Sequence, residues 1–311
     1  MKCARFACAI ASLALVAGCA RLPATGITPL KVKTVSELRA KVLSQKPDVE
    51  LFRPRGPFEV LTHTDREIRL SATERIDADL YLAAPADKAP LVILLHGYEN
   101  SKEDHAYQAM HLATWGIHSL AVTLPSKGPW LENGRKLARI AALIRNQPGI
   151  IDKRIDGDQI ILAGHSFGGA AVTMALATGA PAAGGILLDP AGTGKGLPSY
   201  LRKVAKPVMV IGADERLSPV RDRGWFYEHI RRNVTQVSIT DAHHEDAEFR
   251  VDLPSQDSDS ESNATEELQI TFVSALTAAA FSLGHTGSFD YAWASFRDGI
   301  VSGKFFDALK K

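Results

Sequence analysis

No cysteine occurs after residue 19: all three, Cys3, Cys8 and Cys19, sit at the amino end of the 311-residue chain. A disulfide framework is thereby excluded for the body of the protein. An excess of charge of either sign is also missing. Lys plus Arg (36) and Asp plus Glu (35) nearly cancel, which leaves no basic stripe for nucleic acid. Beyond residue 18 the apolar runs read as too short to span a bilayer, and no internal repeat is found. What remains is an ordinary globular composition, 45% hydrophobic and 23% charged. Its length allows one large α/β domain or two small ones.

The amino end is different. MKCARFACAIASLALVAGC places Lys2 and Arg5 before an apolar stretch from Phe6 to Ala17, the pattern of a secretory signal peptide over residues 1–18. Its end, Val16-Ala17-Gly18-Cys19, resembles the bacterial lipobox. That resemblance implies cleavage before Cys19 and lipid attachment to it; the plainer alternative is a secretory signal cut near Ala20. Diacylglycerol plus an N-acyl chain exceeds the two signals that stable membrane attachment needs. With Ala20 rather than an aspartate after the cysteine, the expected location is the outer membrane, facing the periplasm. Residues 19–56 read as a tether with one short amphipathic helix over Val35–Leu43, and residues 57–311 as the functional domain.

From Phe58 onward strand-like and helix-like segments alternate. FEVLTH and IDADLYLA predict two antiparallel strands. LVILLH, IHSLAVTL, QIILAG, GGILLD, PVMVIGA and VTQVSIT predict further strands, with helical patterns between most of them and a final helix from about Ala264 to Leu283. Continuous apolar runs suit strands buried on both faces. The expected architecture is α/β, a mostly parallel, doubly wound sheet with helices on both faces and no segment long enough for a large lid. Such a sheet binds ligands beyond the carboxyl ends of its strands. SQDSDSES, residues 255–262, reads as a polar acidic loop rather than a calcium site.

One serine stands where a buried strand should turn into a helix. Gly164-His165-Ser166-Phe167-Gly168 fits G-x-S-x-G, a turn too tight for bulky flanking residues, which lifts the hydroxyl above the sheet. A serine needs an adjacent base to become nucleophilic, and chain order puts an acid and then a histidine after it. ITDAHHEDAEF offers His243 and His244, with the register of the loop favouring His244. Three acids satisfy the order: Asp189 at the end of GGILLD, and Asp214 and Glu215 in GADERLSP. Asp189 is preferred, because a residue at a strand's carboxyl end faces the same loop layer as Ser166. Oxyanion donors are expected in the backbone N–H groups of Phe167 and of Tyr98, which follows Gly97 in HGYENSKED. Trp130, Tyr98 and Phe167 are candidates for an apolar wall, Trp130 equally for a core position. His96 and His165 are assigned no chemistry.

LLHGY, GHSFGG, ILLDP and the histidine loop together resemble the α/β-hydrolase superfamily over residues 58 to about 283. Within it the resemblance is to the platelet-activating-factor acetylhydrolase, chlorophyllase and dienelactone-hydrolase-like group, with the cutinases nearby. In the acetylhydrolases the acid follows the strand after the nucleophile, which implies that role for Asp189; the cutinase-like members take it from the later loop, where this chain has Glu215. The resemblance implies a serine ester hydrolase (carboxylesterase- or lipase-like) acting on short or extended acyl esters. It needs no cofactor and no metal, and it partners the membrane only through the lipid. Acyl transfer or peptide hydrolysis on the same residues, and a non-catalytic binding lipoprotein, are the alternatives; the oligomeric state is not legible.

Overall fold

The apolar runs form the middle of a single nine-stranded sheet. The computed structural model describes residues 30–84, 88–215, 223–250 and 260–311. The leader, Cys19 and the start of the expected tether lie outside the described residues, as does the acidic stretch through residue 259. In chain order the strands are β1 (Glu59–Arg69), β2 (Arg75–Ala84), β3 (Ala89–Leu95), β4 (His118–Thr123), β5 (Ile155–His165), β6 (Gly184–Leu188), β7 (Val208–Gly212), β8 (Val234–Ile239) and β9 (Phe305–Lys310). The helices are α1 (Val35–Leu43), α2 (Ala106–Thr114), α3 (Trp130–Asn146), α4 (Phe167–Ala177), α5 (Leu197–Leu201), α6 (Gly224–His229), α7 (Ser260–Thr286), α8 (Asp290–Ser295) and α9 (Arg297–Ser302).

Across the sheet the order is β1-β2-β4-β3-β5-β6-β7-β8-β9. β4, β3, β5, β6, β7 and β8 are parallel, while β1, β2 and β9 pair antiparallel at the two edges. This is the expected doubly wound α/β sheet. Side chains alternate between its faces with period two. Val92, Leu94, Ile161, Ala163, Ile186 and Ile211 face α1, α2, α7 and α8, whereas Leu91, Ile93, Leu95, Ile160, Leu162, Leu187 and Val210 face α3, α4, α5 and α6. Both faces are covered, so the central strands need no polar side and read as unbroken apolar runs. Between β6 and β7 the chain adds only the short α5.

Two expectations change. The segment read as a tether is, from Leu30 onward, part of the domain. Val35, Leu38 and Val42 on α1 and Phe52 on the 3-10 turn Val49–Phe52 are buried in the same core as α7. The spacing of those three α1 residues makes one apolar stripe of a helix, which can be stable only if it is covered. The Phe52 ring lies 4.8 Å from that of Trp115 and 5.5 Å from that of Phe281. Secondly, α7 contains a 22-residue stretch, Thr265–Thr286, long and apolar enough to cross a membrane by length and composition. It is instead a core helix, 83% buried over its most apolar window. Beyond it, α8, α9 and β9 extend the domain past the expected last helix.

Replacing Phe52 by alanine is expected to cost about 3–5 kcal/mol of unfolding free energy in urea titration. A residue in an exposed tether would move stability by less than about 0.5 kcal/mol.

Candidate active site

The strand order reverses between β3 and β5: from β3 the chain moves outward to β4, then returns across β3 to β5 and onward. At such a switch point the loops leaving neighbouring strands diverge and open a crevice at the carboxyl ends. Ser166 stands there. It has φ 53° and ψ −125° between β5 and the first residue of α4, a conformation strained for any residue with a Cβ. Three backbone hydrogen bonds hold it. Its N–H donates to Leu188 O at 3.1 Å, and its carbonyl accepts from Gly169 and Ala191, each at 3.0 Å. Gly168 is required by close approach, since a Cβ there would lie 2.4 Å from the His96 carbonyl oxygen. The turn after β3 is pressed equally tightly against the serine: a Cβ on Gly97 would lie 3.1 Å from the Ser166 Cβ.

The candidate acid and base meet beyond the ends of later strands. His244 Nδ1 donates to Asp189 Oδ2 at 2.6 Å. Asp189 is fully buried, and its other oxygen accepts from the Ala213 N–H at 2.9 Å and from Arg223 Nη1 at 3.4 Å. With Nδ1 acting as donor, Nε2 of a neutral His244 is left with its lone pair free to accept a proton. Ser166 and His244 line the same cavity. No hydrogen bond joins the Ser166 hydroxyl to the imidazole in this structure, and such contacts are often longer before substrate binds.

The alternatives for acid and base take other positions. The His243 side chain is 73% exposed and faces Asp246 at 3.7 Å. Asp214 Oδ2 accepts the Asp241 N–H at 3.0 Å, and Glu215 Oε2 accepts the His244 N–H at 3.1 Å. Both carboxylates hold the backbone of the histidine loop rather than its ring.

The cavity has a volume of about 550 Å³, and its lining includes the apolar Tyr98, Phe167 and Ala191 and the polar Asn100, Glu245 and Glu248. The Tyr98 and Phe167 rings meet edge to face at 6.3 Å. Trp130 does not reach the lining. Half-buried, it packs against Phe167 at 5.3 Å and against the core. The loop after β3 is pinned from below by Lys102, whose buried ammonium group contacts Asp65 and Glu103 at 2.9 Å and Asp79 at 3.0 Å. Burial works against that charge, but the hydrogen bonds from Glu103, Asp65 and Asp79 prevail and raise the Lys102 pKa.

Four side chains at the site escaped the sequence reading: Asn100, His165, Arg223 and Glu248. His165 Nδ1 meets Glu248 Oε1 at 2.7 Å, and its Nε2 meets the His244 carbonyl at 3.0 Å. Asn100 Nδ2 donates to the second Glu248 oxygen. Burial raises the Glu248 pKa, but the His165 charge and hydrogen bond outweigh it and hold the carboxyl far below the usual range. No local pattern could have linked Glu248 to a histidine 83 residues away.

No curated protein matches the chain. A family model described as the alpha/beta hydrolase family matches residues 92–301, a span running from the strand before the Gly97 turn to beyond the histidine loop and covering more than half of the sequence. With a parallel sheet of the corresponding kind and a strand–serine–helix turn at its switch point, the chain belongs to the alpha/beta hydrolase family.

Proposed function

We propose that the protein is a serine hydrolase of carboxylic esters, working through Ser166, His244 and Asp189. The observation that carries the reading is the 2.6 Å contact between His244 and Asp189 beside the turn that bears Ser166. In the reaction, Ser166 Oγ attacks the ester carbonyl carbon while His244 Nε2 takes the hydroxyl proton. The tetrahedral oxyanion accepts hydrogen bonds from the Phe167 and Tyr98 N–H groups, at the amino end of α4 where the helix dipole favours negative charge. Collapse breaks the bond to the leaving alcohol, which departs with the proton from His244, and Ser166 is left acylated. Water then attacks the acyl carbon, giving its proton to His244, and the acid is released as the serine hydroxyl is restored. Asp189 keeps the imidazole in the useful tautomer and stabilises the imidazolium.

The substrate class is short or extended acyl esters. Supporting this are the modest cavity volume, the apolar Tyr98–Phe167 side, and the absence among the described residues of a long insertion between β6 and β7. An acid after β6 rather than after β7 also supports the resemblance to the acetylhydrolase-like group over that to the cutinases. The proposal extends to a lipid anchor on Cys19 at the bacterial envelope, supported by the charged, then apolar, then lipobox-like order of residues 1–19.

Ser166→Ala is expected to lower p-nitrophenyl acetate and butyrate turnover by about 10⁶ and to abolish labelling by a fluorophosphonate probe. Wild-type protein that neither labels nor turns over these esters would overturn the reading. Asp189→Asn is expected to lower kcat by about 10³–10⁴. Glu215→Gln, whose amide oxygen still accepts the His244 N–H, should cost less than about tenfold. The opposite ranking would move the acid to Glu215. Mass spectrometry of the mature protein is expected to find a lipidated Cys19 at the N-terminus; an unmodified terminus at or beyond Ala20 refutes the anchor.

A further inference from the structure

We propose that His165 is a positioning residue held as an imidazolium: paired with the Glu248 carboxylate, it donates its second N–H to the His244 carbonyl and thereby fixes the loop that aims the His244 ring. The inference rests on the esterase reading of Ser166, His244 and Asp189.

The argument is one of donors and acceptors. A carbonyl oxygen and a carboxylate both only accept, and the two nitrogens of His165 face one of each, at 3.0 Å and 2.7 Å. Satisfying both contacts needs a proton on each nitrogen. Of the two groups in the pair the imidazole is the stronger base, so the shared proton belongs on His165. Two other buried histidines, His96 and His118, differ. His96 donates from Nδ1 to Gly97 O and accepts at Nε2 from the Leu124 N–H. His118 accepts at Nδ1 from the Ala83 N–H and donates from Nε2 to Arg154 O. Each has one partner of each kind, which fits a neutral ring. Burial lowers the pKa of His96 and takes that of His118 down to about 4. For His165 burial acts in the same direction, but the Glu248 charge and hydrogen bond overcome it and the net shift is upward.

The geometry gives this charge a task. His244 opens the short 3-10 turn His244–Ala247, and both of its peptide groups are held by side chains: the N–H by Glu215 and the carbonyl by His165. The charged and titratable groups facing His165 are known from each side. Glu248 and His244 come from the histidine loop, Asp189 from the end of β6, and His105 from the turn before α2, with its ring 6.4 Å away. His96 at the end of β3 faces Glu248 and Asp104. α4 has no titratable side chain, and Glu267 of α7 is engaged by Arg53.

Because the folded-state pKa of His165 is raised, its donor pair is complete below that raised value. It is lost as pH rises through that raised value, when Nε2 would turn a lone pair toward the His244 carbonyl. Activity should therefore have an alkaline limb that belongs to His165.

The test combines NMR of selectively ¹⁵N-histidine-labelled full chain with pH–rate profiles on p-nitrophenyl butyrate. In the unmodified protein at pH 7 both ring nitrogens of His165 should give imidazolium shifts; a single-tautomer neutral ring overturns the proposal, however the variants fold. Glu248→Gln should turn that ring neutral. It should also lower kcat about ten- to a hundredfold, the scale of one hydrogen bond to a charged group, with KM within about threefold, and move the alkaline limb to lower pH. His165→Gln keeps a donor but cannot titrate, so it should recover part of the rate and erase the limb. An unchanged limb in both variants overturns the positioning role. If the unmodified protein turns over no ester, the esterase reading fails, while the ring-nitrogen shifts still decide the charge.

Discussion

A general base works only if its ring is held within about half an ångström of the productive position, and His244, the residue proposed for that role, opens a four-residue 3-10 turn outside the sheet, with no strand ladder to fix it. The structure supplies the missing restraint from three strand ends. Asp189, after β6, holds the ring; Glu215, after β7, holds the peptide N–H; His165, at the end of β5, holds the carbonyl. Asp214 adds a fourth tie through the Asp241 N–H, and Asp241 has a left-handed φ of 61°. The parallel sheet brings these residues together. Its strands end side by side, so short side chains leaving each end reach the same few ångströms of loop.

The same sheet explains why the serine turn and the Gly97 turn belong to one another. They leave adjacent strands at the switch point in opposite directions, and the close approach of Gly168 to the His96 carbonyl locks one against the other. Lys102 then anchors the far side of the Gly97 loop to β1 and β2 through Asp65 and Asp79. A shift in the first hairpin would therefore reach the Tyr98 peptide through a single buried ammonium group. Removing one partner of such a buried cluster costs more than forming it contributes, so the loop is rigid for a reason of desolvation.

Much of this was legible in the sequence, and the limits follow from physics. The parallel strands announce themselves as apolar runs because both faces are covered, and the serine turn announces itself because only glycine fits beside it. Chain order could not choose among Asp189, Asp214 and Glu215, since all three follow Ser166 and precede His244. Only the geometry separates a carboxylate that meets the ring from those that meet the backbone. The stretch to residue 56 looked like a tether because its one helix is short and lies between proline-bearing segments, although Val35, Leu38 and Val42 already formed one stripe that needed a core to cover it. β9 was missed because an edge strand has one partner and weak alternation. His165 was passed over because its partners lie about eighty residues away, and a histidine beside a nucleophile is commonly a packing residue.

Charge order in the proposed reaction accounts for the presence of two carboxylates. The His165 and His244 rings are 4.5 Å apart. When His244 takes the serine proton, two imidazoliums would face each other, a repulsion of about 4 kcal/mol at an effective dielectric of about 20. Asp189 behind one ring and Glu248 behind the other turn the row into carboxylate, imidazolium, imidazolium, carboxylate, so each new positive charge arises against its own negative partner. Removing Glu248 while leaving His165 charged would oppose proton transfer to His244. With His165 neutral, that repulsion would vanish, but so would the donor that holds the loop. The pair is therefore coupled to the base twice, through position and through charge, and Glu248 makes the two requirements compatible.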